Sequence, residues 1–193
     1  MICKKAFETT SEELQMDRAA LEAGLAELPI LQYEFISTSL LTFSERVRHI
    51  CETECPMYGK TWACPPGVGS VAECRARCLR YPEALLLTTA AEVRDAADMA
   101  ETLATRGEHE AIVRQVEALL RAQGFDTYAL SAEACARCAH CTYPDAPCRF
   151  PAQLHPCIES HGIVVTDIAE KLGITFLAGN VVTWFSILFF RES

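Results

Sequence analysis

The placement of the cysteines constrains this chain more than any other feature. Eleven are present. Nine of them fall into two groups, Cys51, Cys55, Cys64, Cys74 and Cys78, then Cys135, Cys138, Cys141 and Cys148. An odd total cannot be fully paired as disulfides within one chain. Nor does a chain of 193 residues, 50% of them apolar, need covalent staples to hold a core together. No apolar run follows Lys4 and Lys5, so the start of the sequence does not resemble a secretory signal. The expected compartment is a reducing cytoplasm, where clustered thiols serve as metal ligands or redox groups rather than as bridges.

The second group has the spacing C-x2-C-x2-C-x6-C. Three thiolates two residues apart can curl around one face of a cubane iron–sulfur cluster, and a fourth arrives from farther along. The last gap departs from the bacterial ferredoxin pattern, in which x3 is followed by Cys-Pro. Zinc also takes four thiolates, but its structural sites usually come as two C-x2-C pairs across a longer loop. Iron–sulfur is the expected metal here, with zinc as the competitor. In the first group, Cys51-x3-Cys55-x8-Cys64 supplies three ligands, and the prolines after Cys55 and Cys64 stiffen a non-helical loop. Cys74 and Cys78 lie one helical turn apart, so either could be the fourth. Cys3, Cys78 and Cys157 read as buried apolar thiols, with a replacement ligand or a redox-active thiol as the alternative.

The remainder of the pattern points to one domain over 1–193 of α/β class. A small mixed sheet with flanking helices would carry two cysteine-rich cluster-binding loops, at 51–78 and 135–157. Ser11 to Leu28 is an amphipathic helix stopped by Pro29. Short strands are expected at Leu31–Ser37, Ala84–Ala90 and Thr127–Ser131, and helices at Ser39–Ile50 and Val164–Leu172. Glu92 to Gln123 reads as one kinked helix or two, interrupted at Arg106-Gly107 and stopped by Gly124. The strand, helix, strand order predicts a parallel crossover. Ile174 to Phe190 is too short for a comfortable membrane span and rich in strand formers. A buried β-hairpin about Gly179-Asn180, or a bent strand, is expected there.

A net charge of −9 and a pI near 5.1 exclude nucleic acid or an anionic membrane surface as the main partner. A basic partner or a neutral small molecule fits better. Tyr58, Trp62, Tyr143 and Phe150 lie in the cysteine loops, where they could shield a cluster from water or simply fill space. His140 and His155 are near cysteines, but His49, His109, His140, His155 and His161 all read first as surface or supporting residues. No phosphate-binding glycine loop, G-x-S-x-G elbow or HExxH pair is present.

The order C-x3-C-P-x-Y-G-K-x-W-x-C-P-P from Cys51 to Pro66, then Glu73-Cys74, and YPEALLL from Tyr81 resembles a prokaryotic family of predicted metal-binding proteins of unknown function. The likeness runs on through EHEAIVRQVEALLRAQGF, ACARCAHC, Pro147 to Pro151, HPCIESHGIVV and VVTWFSILFF. It implies two 4Fe-4S clusters, one on Cys51, Cys55, Cys64 and Cys74, the other on Cys135, Cys138, Cys141 and Cys148. Cys157 stands where the family tends to have serine, and Cys78 is likewise a local addition. The expected function is electron transfer to a redox partner protein in an anaerobic prokaryote. The alternatives are a redox enzyme that binds substrate at one cluster, and a zinc-binding structural or regulatory protein.

Overall fold

A computed structural model describes residues 16–135, 137–177 and 179–193. Cys3 and the start of the helix expected from Ser11 lie outside the described residues. Four strands, β1 Gln32–Ser37, β2 Glu83–Glu92, β3 Phe125–Leu130 and β4 Val181–Glu192, form one sheet in the order β1-β2-β4-β3. Five α-helices accompany it among the described residues: α1 Arg18–Ala26, α2 Glu45–Thr53, α3 Val71–Cys78, α4 Met99–Ala122 and α5 Val165–Leu172. The α/β class expected from the pattern is observed.

The expected mixed sheet is corrected, because every neighbouring pair of strands is antiparallel. β2 and β3 do run parallel to each other across α4, as the crossover requires, but β4 is inserted between them. The reason lies in β4 itself. Leu188 and Phe190 pack on one side of the sheet, and Phe185, Ile187 and Phe189 on the other. A strand that is apolar on both faces is most stable between neighbours, with a covered face on each side.

From Val181 onward the apolar run at the C-terminus is therefore one continuous twelve-residue strand, not a hairpin. Gly179, at φ 84°, turns the chain just before it. Asn180 fastens that turn by accepting from Val93 N–H at 2.9 Å and donating to Arg94 O at 2.6 Å. No helix among the described residues is long and apolar enough to cross a membrane.

The sheet is covered on both faces. On one, Leu85, Leu87, Leu188 and Phe190 meet Leu21 and Leu25 of α1 and Val113, Val116 and Leu120 of α4. On the other, Ile36, Leu86, Ile187 and Phe189 meet Cys78 of α3, Ile168 of α5 and Ile158 and Ile163 of the connecting chain. Nearly all these side chains are withdrawn from water, each contributing roughly 1.5–3 kcal/mol of transfer free energy.

Two helix expectations change. α4 runs unbroken for 24 residues through Arg106-Gly107, capped by Asp98, whose side chain accepts from Ala100 N–H and Glu101 N–H. Gly107 is exposed and a Cβ there would meet nothing. It costs the helix roughly 1 kcal/mol, less than the buried face of α4 returns. The helix expected from Ser39 is instead a 3-10 turn at Thr38–Leu40, a β-bridge from Phe43 to Ile163, and only then α2. Ser44 starts α2 by accepting from Arg46 N–H.

Candidate metal centres

The first cysteine group is built on two helix ends. Cys51 lies in the last turn of α2 and Cys55 just beyond it, while Cys74 and Cys78 are on α3. Ser70 starts α3 with a reciprocal cap, its hydroxyl accepting from Glu73 N–H and its own N–H donating to Glu73 Oε2. Between the helices the chain turns tightly through Cys64, with Val68 N–H donating to Cys64 O at 3.2 Å. A Cβ on Gly67 would stand 2.9 Å from Thr61 O and 3.1 Å from the ring of Tyr143. Only glycine permits that approach.

Burial pushes the Cys51 thiol up to about 11, assisted by the nearby Cys55. Burial likewise raises Cys74, against the opposing pull of Arg48. Arg48 is 7% exposed and sits one turn before Cys51 on α2. Its guanidinium donates to Gly69 O at 2.7 Å and to Ser160 O, and lies 3.8 Å from Cys74 Sγ. No carboxylate pairs with it among the described residues. A buried cation without a counter-ion is costly, so the site suits negative charge on the adjacent sulfurs.

Cys78 belongs elsewhere. It is wholly buried among Ile36, Leu86 and Ile168, and burial raises its thiol to about 12. Cys157 falls into the first group unexpectedly. Its thiol hydrogen-bonds Cys64, and that bond brings Cys64 down to about 7 while raising Cys157. Ser160 N–H also donates to Cys157 Sγ at 3.2 Å. Neither reading of Cys157 from sequence included a direct partner.

The second group sits on an excursion from the end of β3. Ser131 forms a parallel bridge with Cys157, with Ser131 N–H donating to Pro156 O and Ile158 N–H to Ser131 O at 2.9 and 3.0 Å. The loop therefore leaves and returns at one neck. Inside it, Thr142 Oγ1 donates to Pro147 O and Arg149 to His140 O, each at 2.8 Å.

Cys135, Cys138, Cys141 and Cys148 line one cavity of about 20 Å³, walled also by Trp62, Phe150 and Leu154. Arg137 N–H donates to Cys135 Sγ at 3.5 Å, and burial raises that thiol. Among the described residues, no three His, Cys, Asp or Glu side chains close on a point that would hold a metal ion.

Trp62 joins the two groups. Its Nε1 donates to Ala146 O at 3.0 Å, and its ring meets Tyr143 edge-on at 4.8 Å. Phe150 carries Arg137 over its face at 5.4 Å. Tyr58 is exposed and lines none of these cavities.

His155, at the neck, has both ring nitrogens on carboxylates, Nδ1 at 3.2 Å from Glu110 Oε2 and Nε2 at 3.2 Å from Glu117 Oε2. Burial alone would lower it, but the two carboxylates override this and lift it to about 9. His109 and His161 are opposite cases, lowered by burial to about 4 and about 3. His109 serves the core, bonding Thr89 and Ser186. His49 and His140 are exposed.

The eight expected ligands thus fall in two segments, one across the ends of α2 and α3 and one in the loop after β3, and Trp62 of the first reaches the second through Ala146 O and Tyr143. Cys74 has Arg48 beside it, whereas Cys78 is buried in the core. No curated protein and no solved structure matches the chain. A family model does match, over residues 34–190, a span that takes in both cysteine groups, all of β2 and β3 and most of β1 and β4. By that match the chain belongs to the family described as predicted metal-binding protein, DUF2284.

Proposed function

We propose that the two cysteine groups bind 4Fe-4S clusters and that the protein passes electrons to a redox partner. The observation that carries this reading is the lining of the second-loop cavity by Cys135, Cys138, Cys141 and Cys148 with the aromatic walls Trp62 and Phe150. All four donors are soft, and each is partly withdrawn from water. Tetrahedral zinc, with Zn–S near 2.3 Å, would draw four sulfurs to about 3.8 Å from one another. Three thiols at x2 spacing with a fourth farther along suit a polynuclear cluster better than one tetrahedral ion, whose sites usually come as two C-x2-C pairs.

When bound, such a cluster supplies a one-electron centre. The chain's own residues then have definite work. The Arg137 amide donates to sulfur, which stabilises the more negative, reduced state. Arg48 sets positive charge beside Cys74 in the first group, with the same effect. Trp62 bridges the two segments, its Nε1 donating to Ala146 O.

The test is anaerobic purification, dithionite reduction and electron paramagnetic resonance on the wild type and on Cys141→Ser and Cys64→Ser. Two reducible cluster signals are expected, one lost in each variant. A single signal, or one removed by both substitutions, would contradict two independent centres. A redox enzyme is the second reading, favoured by a cavity of about 540 Å³ that borders Cys148.

A further inference from the structure

A cavity of about 540 Å³ opens where the two cysteine loops meet β3 and the end of α4. Trp62 comes from the first loop, Cys148 from the second, Tyr128 from β3, Arg121 from α4 and Arg77 from α3, with His155 at the neck. This volume lies within the roughly 300–1,000 Å³ range of small-molecule sites. It is bordered by a residue of each cysteine loop.

The charge lining it is opposite to that of the protein. Arg77 and Arg121 face one carboxylate, Glu117, in a chain whose net charge is −9. Arg121 is already committed, with Nη2 2.6 Å from Glu117 Oε1 and Nε donating to Thr127 Oγ1 at 2.8 Å. Arg77 is not. Its guanidinium donates to Tyr128 Oη at 3.2 Å and to Val68 O at 3.3 Å, and stands 3.5 Å from His161 Nε2. The Tyr128 hydroxyl in turn donates to His161 Nε2 at 2.6 Å.

Arg77 forms no salt bridge among the described residues. It is a half-buried, oriented cation with only neutral partners. A guanidinium presents paired donors that match a carboxylate or phosphate edge.

We infer that this cavity binds a small organic oxyanion, a carboxylate or a phosphate ester, anchored by Arg77 with Arg121 at the rim and held beside Cys148. Occupancy of the cavity stands independently of the metal. Its meaning as a substrate or effector site next to a redox centre rests on the iron–sulfur reading. Trp62, shared between this cavity and the one lined by the second-group thiols, would report to one what occupies the other.

The experiment uses the full chain, purified without oxygen, titrated at constant ionic strength with inorganic phosphate, succinate and citrate, with chloride as the control. Calorimetry and Trp fluorescence read the binding. Expected is saturable binding of at least one oxyanion, weakened about tenfold or more in Arg77→Gln, weakened less in Arg121→Gln, and unchanged in Arg94→Gln. Arg121 is half-exposed, so its variant remains informative if Arg77→Gln does not fold.

No saturation with any probe up to about 10 mM, or binding indifferent to both Arg77→Gln and Arg121→Gln, overturns the inference. Iron and sulfide content, measured on the same samples, is scored separately. Oxyanion binding to a protein without iron would therefore sustain this site while removing the cluster.

Discussion

Replacing His155 by glutamine takes the cation from between Glu110 and Glu117 and leaves two hydrogen-bonding groups of similar size. In the native fold the imidazole is 4% exposed, with a carboxylate 3.2 Å from each ring nitrogen. The folded-state value of about 9 compares with 6.5 for the ordinary group. A raised value means that the full stabilisation is present below pH 6.5 and is lost as pH climbs to about 9. At about 1.36 kcal/mol per unit the difference amounts to about 3 kcal/mol. The carboxylates of Glu110 and Glu117 are held below their usual range despite burial, because His155 donates to both. They stay ionised throughout that window.

Other groups titrate there too. Cys64, brought to about 7 by Cys157, adds stability as pH rises whenever no metal holds it. The useful quantity is therefore the gap between wild type and His155→Gln, measured by urea unfolding at about pH 6 and about pH 9.5 on samples of equal metal content. That gap should narrow by about 3 kcal/mol between the two conditions. A gap that stays constant would refute the buried ion triad, leaving His155 as a packing residue only.

Cys157→Ala removes the thiol that donates to Cys64. In metal-free protein, the pH midpoint for alkylation of Cys64 should then rise from about 7 toward the ordinary 9.0; an unmoved midpoint would contradict the contact. Arg48→Met withdraws the buried cation beside Cys74, so iron retained per chain should fall by about half, to the content of the second group alone. Gly162→Ala, at φ 74° with a Cβ 2.9 Å from Val71 Cγ1 and 3.1 Å from Ser44 O, should cost about 1–3 kcal/mol in denaturant unfolding. A loss below half a kcal/mol would show that the α2 entry is looser than described.

β1, β2, β3 and α5 were legible to within about two residues because each is a short apolar or amphipathic run with clear stops. The last strand was harder to read. Its residues face apolar partners on both sides of the sheet, which erases the alternation that marks a half-buried strand, and Gly179-Asn180 turns the chain before the strand rather than inside it. The break expected at Gly107 failed because the glycine falls on the exposed side of α4, where it interrupts no packing.

For the second candidate centre, the grouping of the thiols was legible in the spacing, since the four are near in sequence and line one cavity. That of the first was not, because its surroundings are assembled from distant segments. Cys157 meets Cys64, and Arg48 of α2 meets Cys74 of α3, through tertiary contacts that no local pattern records. His155 was passed over for the same reason, although Glu110 and Glu117, two turns apart on one face of α4, were a signal that a cation must face them.

The most direct test of the central claim is the iron, acid-labile sulfide and zinc content of protein purified without oxygen. Two cubane clusters require about eight iron and eight sulfide per chain, with absorbance near 400 nm that bleaches under dithionite. Zinc in stoichiometric amount without sulfide would contradict the account and make both cysteine loops structural.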